Sequence, residues 1–215
     1  PPLPAAVPPP PPPRRPQSPT TSNGQKKVLV LLDMNGTLLL RLKGRLGKAP
    51  PTFQHAGLNY YLRAGVVELV QMLRQHPRCT LAFYTSMRES NALPAVLHIT
   101  GGVRVEIYDR DYNKADTKGR KDAKSWDTMR DMDKIWSTRG RAGHGFDATS
   151  TLMVDDTDRK MRHAPRNLVR VPEFKEAAHR DDGTMATLIE YLRGLLDNCG
   201  DGDVRDYVEA VPYQP

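Results

Sequence analysis

Cysteine is almost missing from this chain of 215 residues: only Cys79 and Cys199 occur. Cys79 falls inside an apolar run and Cys199 near the end of an expected helix. Two scattered thiols make neither a disulfide framework nor a zinc site, so a reducing or indifferent compartment is expected. The six histidines show no ligand spacing and read as surface or packing residues. No apolar run approaches the length that crosses a membrane, so no membrane span is expected. No repeat appears at solenoid periods. Acidic residues are absent from the first 25 positions, where proline is concentrated instead.

That segment, residues 1–25, reads as a Pro-rich extended tail. Eleven of the nineteen prolines lie in Pro1–Pro19, and the tail adds Arg14 and Arg15. Such a composition favours polyproline II or disorder over helix or sheet. The sequence does not begin with Met, and removal of an organellar presequence is one explanation. A mitochondrial location is therefore the expectation, with nucleus or cytoplasm as the alternative. Residues 26–215 read as one domain. The 38% hydrophobic content supports a real core once the tail is set aside. The formal net charge of +7 with a pI near 9.5 suits either a solvated basic surface or a polyanionic partner such as RNA.

What is present in strength is Val28–Leu40, VLVLLDMNGTLLL. Its unbroken aliphatic start suits a strand buried on both faces of a parallel sheet. The run ends in Asp33, where open α/β sheets bind ligands. Gly36 permits a sharp turn and Thr37 can lock it. Cys79–Tyr84 and Thr151–Val154 repeat the pattern, ending in Thr85-Ser86 and Asp155-Asp156. Val103–Tyr108 and Asn167–Val171 read as further strands. Helical spacing predicts helices over Val66–Arg74 and Gly183–Asn198, and Val204–Val211 reads as a short helix or turn. Another is expected over Asn91–His98, with Pro94 in its first turn. Arg41–Gln54 reads as a basic excursion and Asn113–Lys124 as loop. Trp126–Trp136 is ambiguous, with both tryptophans expected in the core. Strands alternating with helices give an α/β parallel sheet. If the three polar-ended strands are neighbours, their clusters converge on one edge.

Phosphoryl transfer through a covalent intermediate needs a carboxylate nucleophile, a metal, donors for phosphate oxygens and an acid for the leaving group. Asp33 suits the nucleophile. Asp156, or alternatively Asp155, suits a Mg²⁺ ligand beside Asp33, with the Asn35 backbone carbonyl as another. The Thr85 hydroxyl and a lysine suit phosphate, although Thr85-Ser86 equally suits a helix cap. Arg139, Arg141, Arg159, Lys160, Arg162 and Arg166 suit contacts to RNA phosphates, with a solvated basic face as the competing reading.

In order along the chain, DMNGTL, FYTS, a downstream Lys and LMVDD resemble the motifs of the haloacid dehalogenase (HAD) superfamily. The resemblance is nearest to its CTD-phosphatase/NLI-interacting-factor-like branch. Arg63-Ala64-Gly65 resembles that branch's Arg-Pro-Gly, and LIEYLRGLL through DVRDYVEAVPY resembles its last helix and tail. The resemblance spans about Lys26–Pro215. It implies a HAD-like (Rossmannoid) three-layer sandwich without a large cap domain, and Mg²⁺ as cofactor. It also implies Lys124 as the phosphate-binding cation, in competition with Lys114, Lys118 and Lys121. The family's first motif is Asp-x-Asp-x-Thr, its second Asp being the general acid/base; here that position is Asn35. An amide has no proton to give near neutral pH, and losing such a group typically costs about 10²–10⁴-fold. An import-receptor subunit of the mitochondrial inner membrane uses the same fold, with a degenerate motif, for binding. Two functions are therefore expected. One is an impaired or non-catalytic phosphatase-like domain serving as a structural or binding subunit of a larger assembly, such as a mitochondrial ribosome or other ribonucleoprotein. The other is an active Mg²⁺-dependent phosphatase acting through an aspartyl-phosphate on a phosphoprotein or other phosphomonoester.

Overall fold

The structure is a computed structural model and describes residues 18–45, 47–116, 127–175 and 181–215. Residues 1–17 of the Pro-rich segment, Lys124 and Trp126 lie outside the described residues.

Five apolar segments make the central sheet: β1 (Val28–Leu32), β5 (Cys79–Tyr84), β6 (Glu106–Tyr108), β9 (Thr151–Asp155) and β10 (Leu168–Arg170). Their spatial order is β10-β9-β1-β5-β6, and every neighbouring pair is parallel. β1 is the centre, and its five residues are all buried because both faces are covered. Val28, Val30 and Leu32 face a core shared with α1 (Val66–Gln75), α2 (Glu89–Ile99) and α4 (Thr184–Asn198). Leu29 and Leu31 face a second core containing Met132 and Ile135 of α3 (Met132–Ser137), with Phe146 and Met161. The alternation is the two-residue period of a strand. A last helix, α5 (Val204–Ala210), adds Val204 to the first core. Helices thus flank a mostly parallel sheet, as the resemblance implies. Among the described residues no large cap domain stands over it.

The basic excursion is more ordered than its sequence suggests. β2 (Leu39–Leu42), β3 (Phe53–His55) and β4 (Leu58–Leu62) form an antiparallel sheet in the order β2-β4-β3. Its Leu39, Tyr60 and Leu62 enter the first core, while Leu40 and Tyr61 pack on Phe174. Asn113–Ala115 (β7) pairs antiparallel with Thr128–Arg130 (β8), so the expected loop begins as a strand. The strand expected from Val103 is shorter, starting at Glu106. Pro94 is not in a first turn: α2 starts two residues earlier than expected, at Glu89, which makes Pro94 its sixth residue. Asp109 fixes that start, its Oδ2 accepting the Glu89 N–H at 3.1 Å. This is a tertiary partner that local sequence does not announce.

Candidate phosphate site

Because β9, β1 and β5 are neighbours, their C-terminal ends bring Asp155 and Asp156, Asp33, and Thr85 to one edge. Asp33, at 2% exposed, and Asp155, fully buried, are carboxylates that water cannot solvate. Asp33, Asp155 and Asp156 offer oxygens within 4.8 Å of one another. The turn after β1 is tightly wound, with the Met34 carbonyl accepting from Leu38 and Leu39 at 2.8 and 3.0 Å. Thr37 Oγ1 lies 3.3 Å from both Asp33 Oδ2 and Asp156 Oδ1, and accepts from the Asp156 N–H at 3.2 Å. Gly36 is required here. Its φ is +89°, and a Cβ would fall 2.9 Å from Asp156 Oδ2.

Among the described residues two cations hold the carboxylates. Arg130, fully buried at the end of β8, donates from Nη2 to Asp33 Oδ1 and Asp155 Oδ2, both at 2.6 Å. Its Nε reaches Asp155 Oδ2 at 3.1 Å and its Nη1 Asn113 Oδ1 at 3.2 Å, while the guanidinium stacks over Tyr84. Burial alone would lower the Arg130 pKa, but Asp155 and then Asp33 outweigh it, and it is raised. Lys160 Nζ lies 3.4 Å from Asp33 Oδ2, 3.3 Å from Asp155 Oδ1 and 3.9 Å from Asp156 Oδ1. Burial opposes its charge too, yet Asp33 and the other carboxylates keep its pKa raised.

In front of this cluster opens a cleft of about 400 Å³ lined by Asp33, Asn35, Thr85 and Ser86, with Arg41, Arg88, Arg110 and Lys160 supplying positive charge. The Thr85 hydroxyl accepts the Met87 N–H at 3.2 Å, as an oxygen closing the turn after β5. A hydroxyl that accepts there still has its own proton to donate to a ligand. Asn35 is exposed at the cleft, and its Oδ1 accepts the Arg41 N–H at 2.9 Å. The cleft thus places a buried carboxylate, a hydroxyl, several cations and the Asn35 amide around one space. The carboxylate trio is the hard-oxygen set that Mg²⁺ favours. Asp33, Asp155 and Asp156 would hold such an ion, whose chemistry would be to polarise phosphoryl oxygens.

The sequence expectations meet this geometry unevenly. Asp33, Asn35, Thr85, Asp155 and Asp156 come together. Lys124 lies outside the described residues, and Lys114 pairs with Asp131 at 2.9 Å. The site cation that sequence reasoning missed is Arg130. Its signal was an arginine closing a short Thr-Met-Arg strand just ahead of Asp131, which caps α3. Of the residues considered for RNA, Lys160 sits among the site carboxylates instead of on an open face. Arg141 pairs with Glu106, Arg159 and Arg162 with buried Asp116, and Arg166 with Asp206 and Glu209. Arg139 is exposed.

No curated protein matches the chain. Among solved structures it is similar to Fcp1, an essential RNA polymerase II CTD phosphatase. That likeness has 11% identity and a TM-score of 0.46, over 83% of this chain and 56% of the other. It is also similar to the fission yeast Fcp1 variant bound to beryllium fluoride, at 11% identity and a TM-score of 0.45, over 87% and 64%. The chain therefore spans less than two thirds of the length of either. A family model described as NLI interacting factor-like phosphatase matches residues 27–205. That match takes in every residue of the site, and the chain belongs to the NLI interacting factor-like phosphatase family.

Proposed function

We propose that this domain recognises phosphoryl groups on a phosphoprotein at the Asp33 cleft and is impaired in hydrolysing them. The observation that carries this reading is the pairing of Asp33 with Asn35 on one cleft. The carboxylate would supply the nucleophile, but the neighbouring amide has no proton for the leaving oxygen. Thr85 would donate to a phosphoryl oxygen, and Arg41, Arg88 and Arg110 line the cleft for an anionic chain around the phosphate. A site that holds a phosphoryl group and hydrolyses it slowly serves docking better than turnover. That suits a binding subunit of a larger assembly.

The test compares the unaltered chain with Asn35→Asp and Thr85→Val. Tungstate, a phosphate mimic, should bind the unaltered chain and bind Thr85→Val more weakly. Hydrolysis of an aryl phosphate in Mg²⁺ should be slow in the unaltered chain and rise in Asn35→Asp by about 10²–10⁴-fold. Equal rates in the unaltered chain and Asn35→Asp, both well above background and both lost in Asp33→Asn, would establish an active phosphatase and overturn impairment.

A further inference from the structure

We propose that Lys160 is a resident counter-ion: its ammonium takes the seat of a divalent cation among Asp33, Asp155 and Asp156 and weakens this chain's hold on such an ion. The inference rests on the phosphate-site reading above and goes beyond it.

The two cations divide the carboxylate oxygens between them. Asp33 gives Oδ1 to Arg130 and Oδ2 to Lys160; Asp155 gives Oδ2 to Arg130 and Oδ1 to Lys160. Asp156 adds its Oδ1 to the Lys160 side at 3.9 Å. An ion held by all three carboxylates must lie between these oxygens, and the ammonium is already within 4 Å of one from each. The stem that brings it there is anchored. Lys160 belongs to the 3₁₀ turn Asp158–Met161 directly after β9, and the next residue, Met161, is 1% exposed in the second core.

Charge counting points the same way. Among the described residues three carboxylates carry −3 and Arg130 with Lys160 carries +2, so the cluster is one charge from neutral without a metal. A divalent ion would invert it to +1, with three positively charged groups crowded in a buried site where repulsion is poorly screened. Without the Lys160 charge the cluster stands at −2, matched to a divalent ion. Lys160 also lines the cleft, so the same ammonium faces an incoming oxyanion. Oxyanion binding then needs no divalent ion.

The experiment measures Mn²⁺ binding by electron paramagnetic resonance on the full chain, with Lys160→Met and Lys160→Arg beside the unaltered protein. Lys160→Met keeps the stem and removes the charge, and should bind Mn²⁺ at least about tenfold more tightly. Lys160→Arg keeps the charge and should stay with the unaltered protein. Adding Asp156→Asn to Lys160→Met should cancel the gain. Circular dichroism verifies that each variant is folded, and Lys160→Gln replaces Lys160→Met if the latter is not. Equal Mn²⁺ affinity in the unaltered and charge-neutral proteins, or a gain that survives Asp156→Asn, would overturn the proposal. Tungstate titrated with EDTA or with Mg²⁺ should give the same affinity, and a strict Mg²⁺ requirement would count against it. A chain that binds no tungstate at all would remove the phosphate-site reading while leaving the Mn²⁺ comparison to decide on Lys160.

Discussion

Arg130 has no solvent and no freedom: side chain fully buried, guanidinium shared between Asp33 and Asp155, face laid on Tyr84. Replacing it by Met leaves two buried carboxylates short of a counter-charge. Breaking a buried pair in this way costs about 3–5 kcal/mol. Arg130→Met should therefore lower the urea midpoint strongly at pH 7. A midpoint close to that of the unaltered chain would show instead that Lys160 alone balances Asp33 and Asp155. The two thiols behave differently from catalytic ones. Burial pushes the Cys79 thiol up to about 12 and raises that of Cys199, so neither supplies a thiolate near neutral pH.

Between elements, the brace that sets the site loop is Arg63, at the junction of β4 and α1. Its Nη1 donates to the carbonyls of Thr37 and Pro172 at 3.1 and 3.0 Å, its Nη2 to Thr184 Oγ1 at 2.9 Å, and its Nε to Asp182 at 3.1 Å. One buried cation thus ties the turn after β1 to the start of α4. Burial acts to raise the Asp182 carboxyl, but the hydrogen bonds from Arg63 and Thr184 outweigh it, and its pKa lies below the ordinary value. A carboxylate depressed in the folded state stabilises fully above its unfolded pKa, about 3.9, and loses that contribution as pH falls through the folded value. Asp182→Asn should cost about 1–2 kcal/mol at pH 7, the carboxylate being partly exposed. The gap from the unaltered chain should close below about pH 4. Urea titrations at pH 7, 5 and 3 check this, and a gap that persists at pH 3 would contradict it. Element by element, what was legible follows from burial. β1, β5 and β9 are apolar runs whose ends carry the site, and Val66, Leu69, Val70 and Leu73 of α1 are all buried as their spacing required. The β2-β4-β3 sheet was illegible because its strands are three to five residues long and partly exposed. Their apolar residues alternate with arginine, asparagine and glutamine. Arg130 was illegible for another reason. Its carboxylates lie 97 and 25 positions away, so its role exists only once the sheet has assembled.

For the whole molecule, the count of 32 lysines and arginines overstates the free positive surface. Arg141, Arg159, Lys160, Arg162 and Arg166 each face carboxylates of the same chain. If those pairs persist in solution, association with RNA should fall only shallowly with salt. A log–log slope of about one or two phosphates is expected by fluorescence anisotropy between 50 and 200 mM salt. A slope of about five or six would show the pairs opening onto a polyanion, and would put a ribonucleoprotein role first.

The turn that carries Asn35 also governs how the protein ages. Asn-Gly is the dipeptide most open to succinimide formation, in which the glycine nitrogen attacks the asparagine side-chain carbonyl. Here the Gly36 N–H is committed to the Leu39 carbonyl at 2.9 Å, and Asn35 Oδ1 is held by the Arg41 N–H at 2.9 Å. Both reacting groups are restrained for as long as the fold stands. Peptide mass spectrometry should find Asn35 intact after prolonged storage of native protein and deamidated after incubation in urea. The product of that damage is an acid at the one position where the site lacks one. Rising phosphatase activity in a refolded preparation would then measure its chemical history, and only native, undamaged protein reports what the chain itself can do.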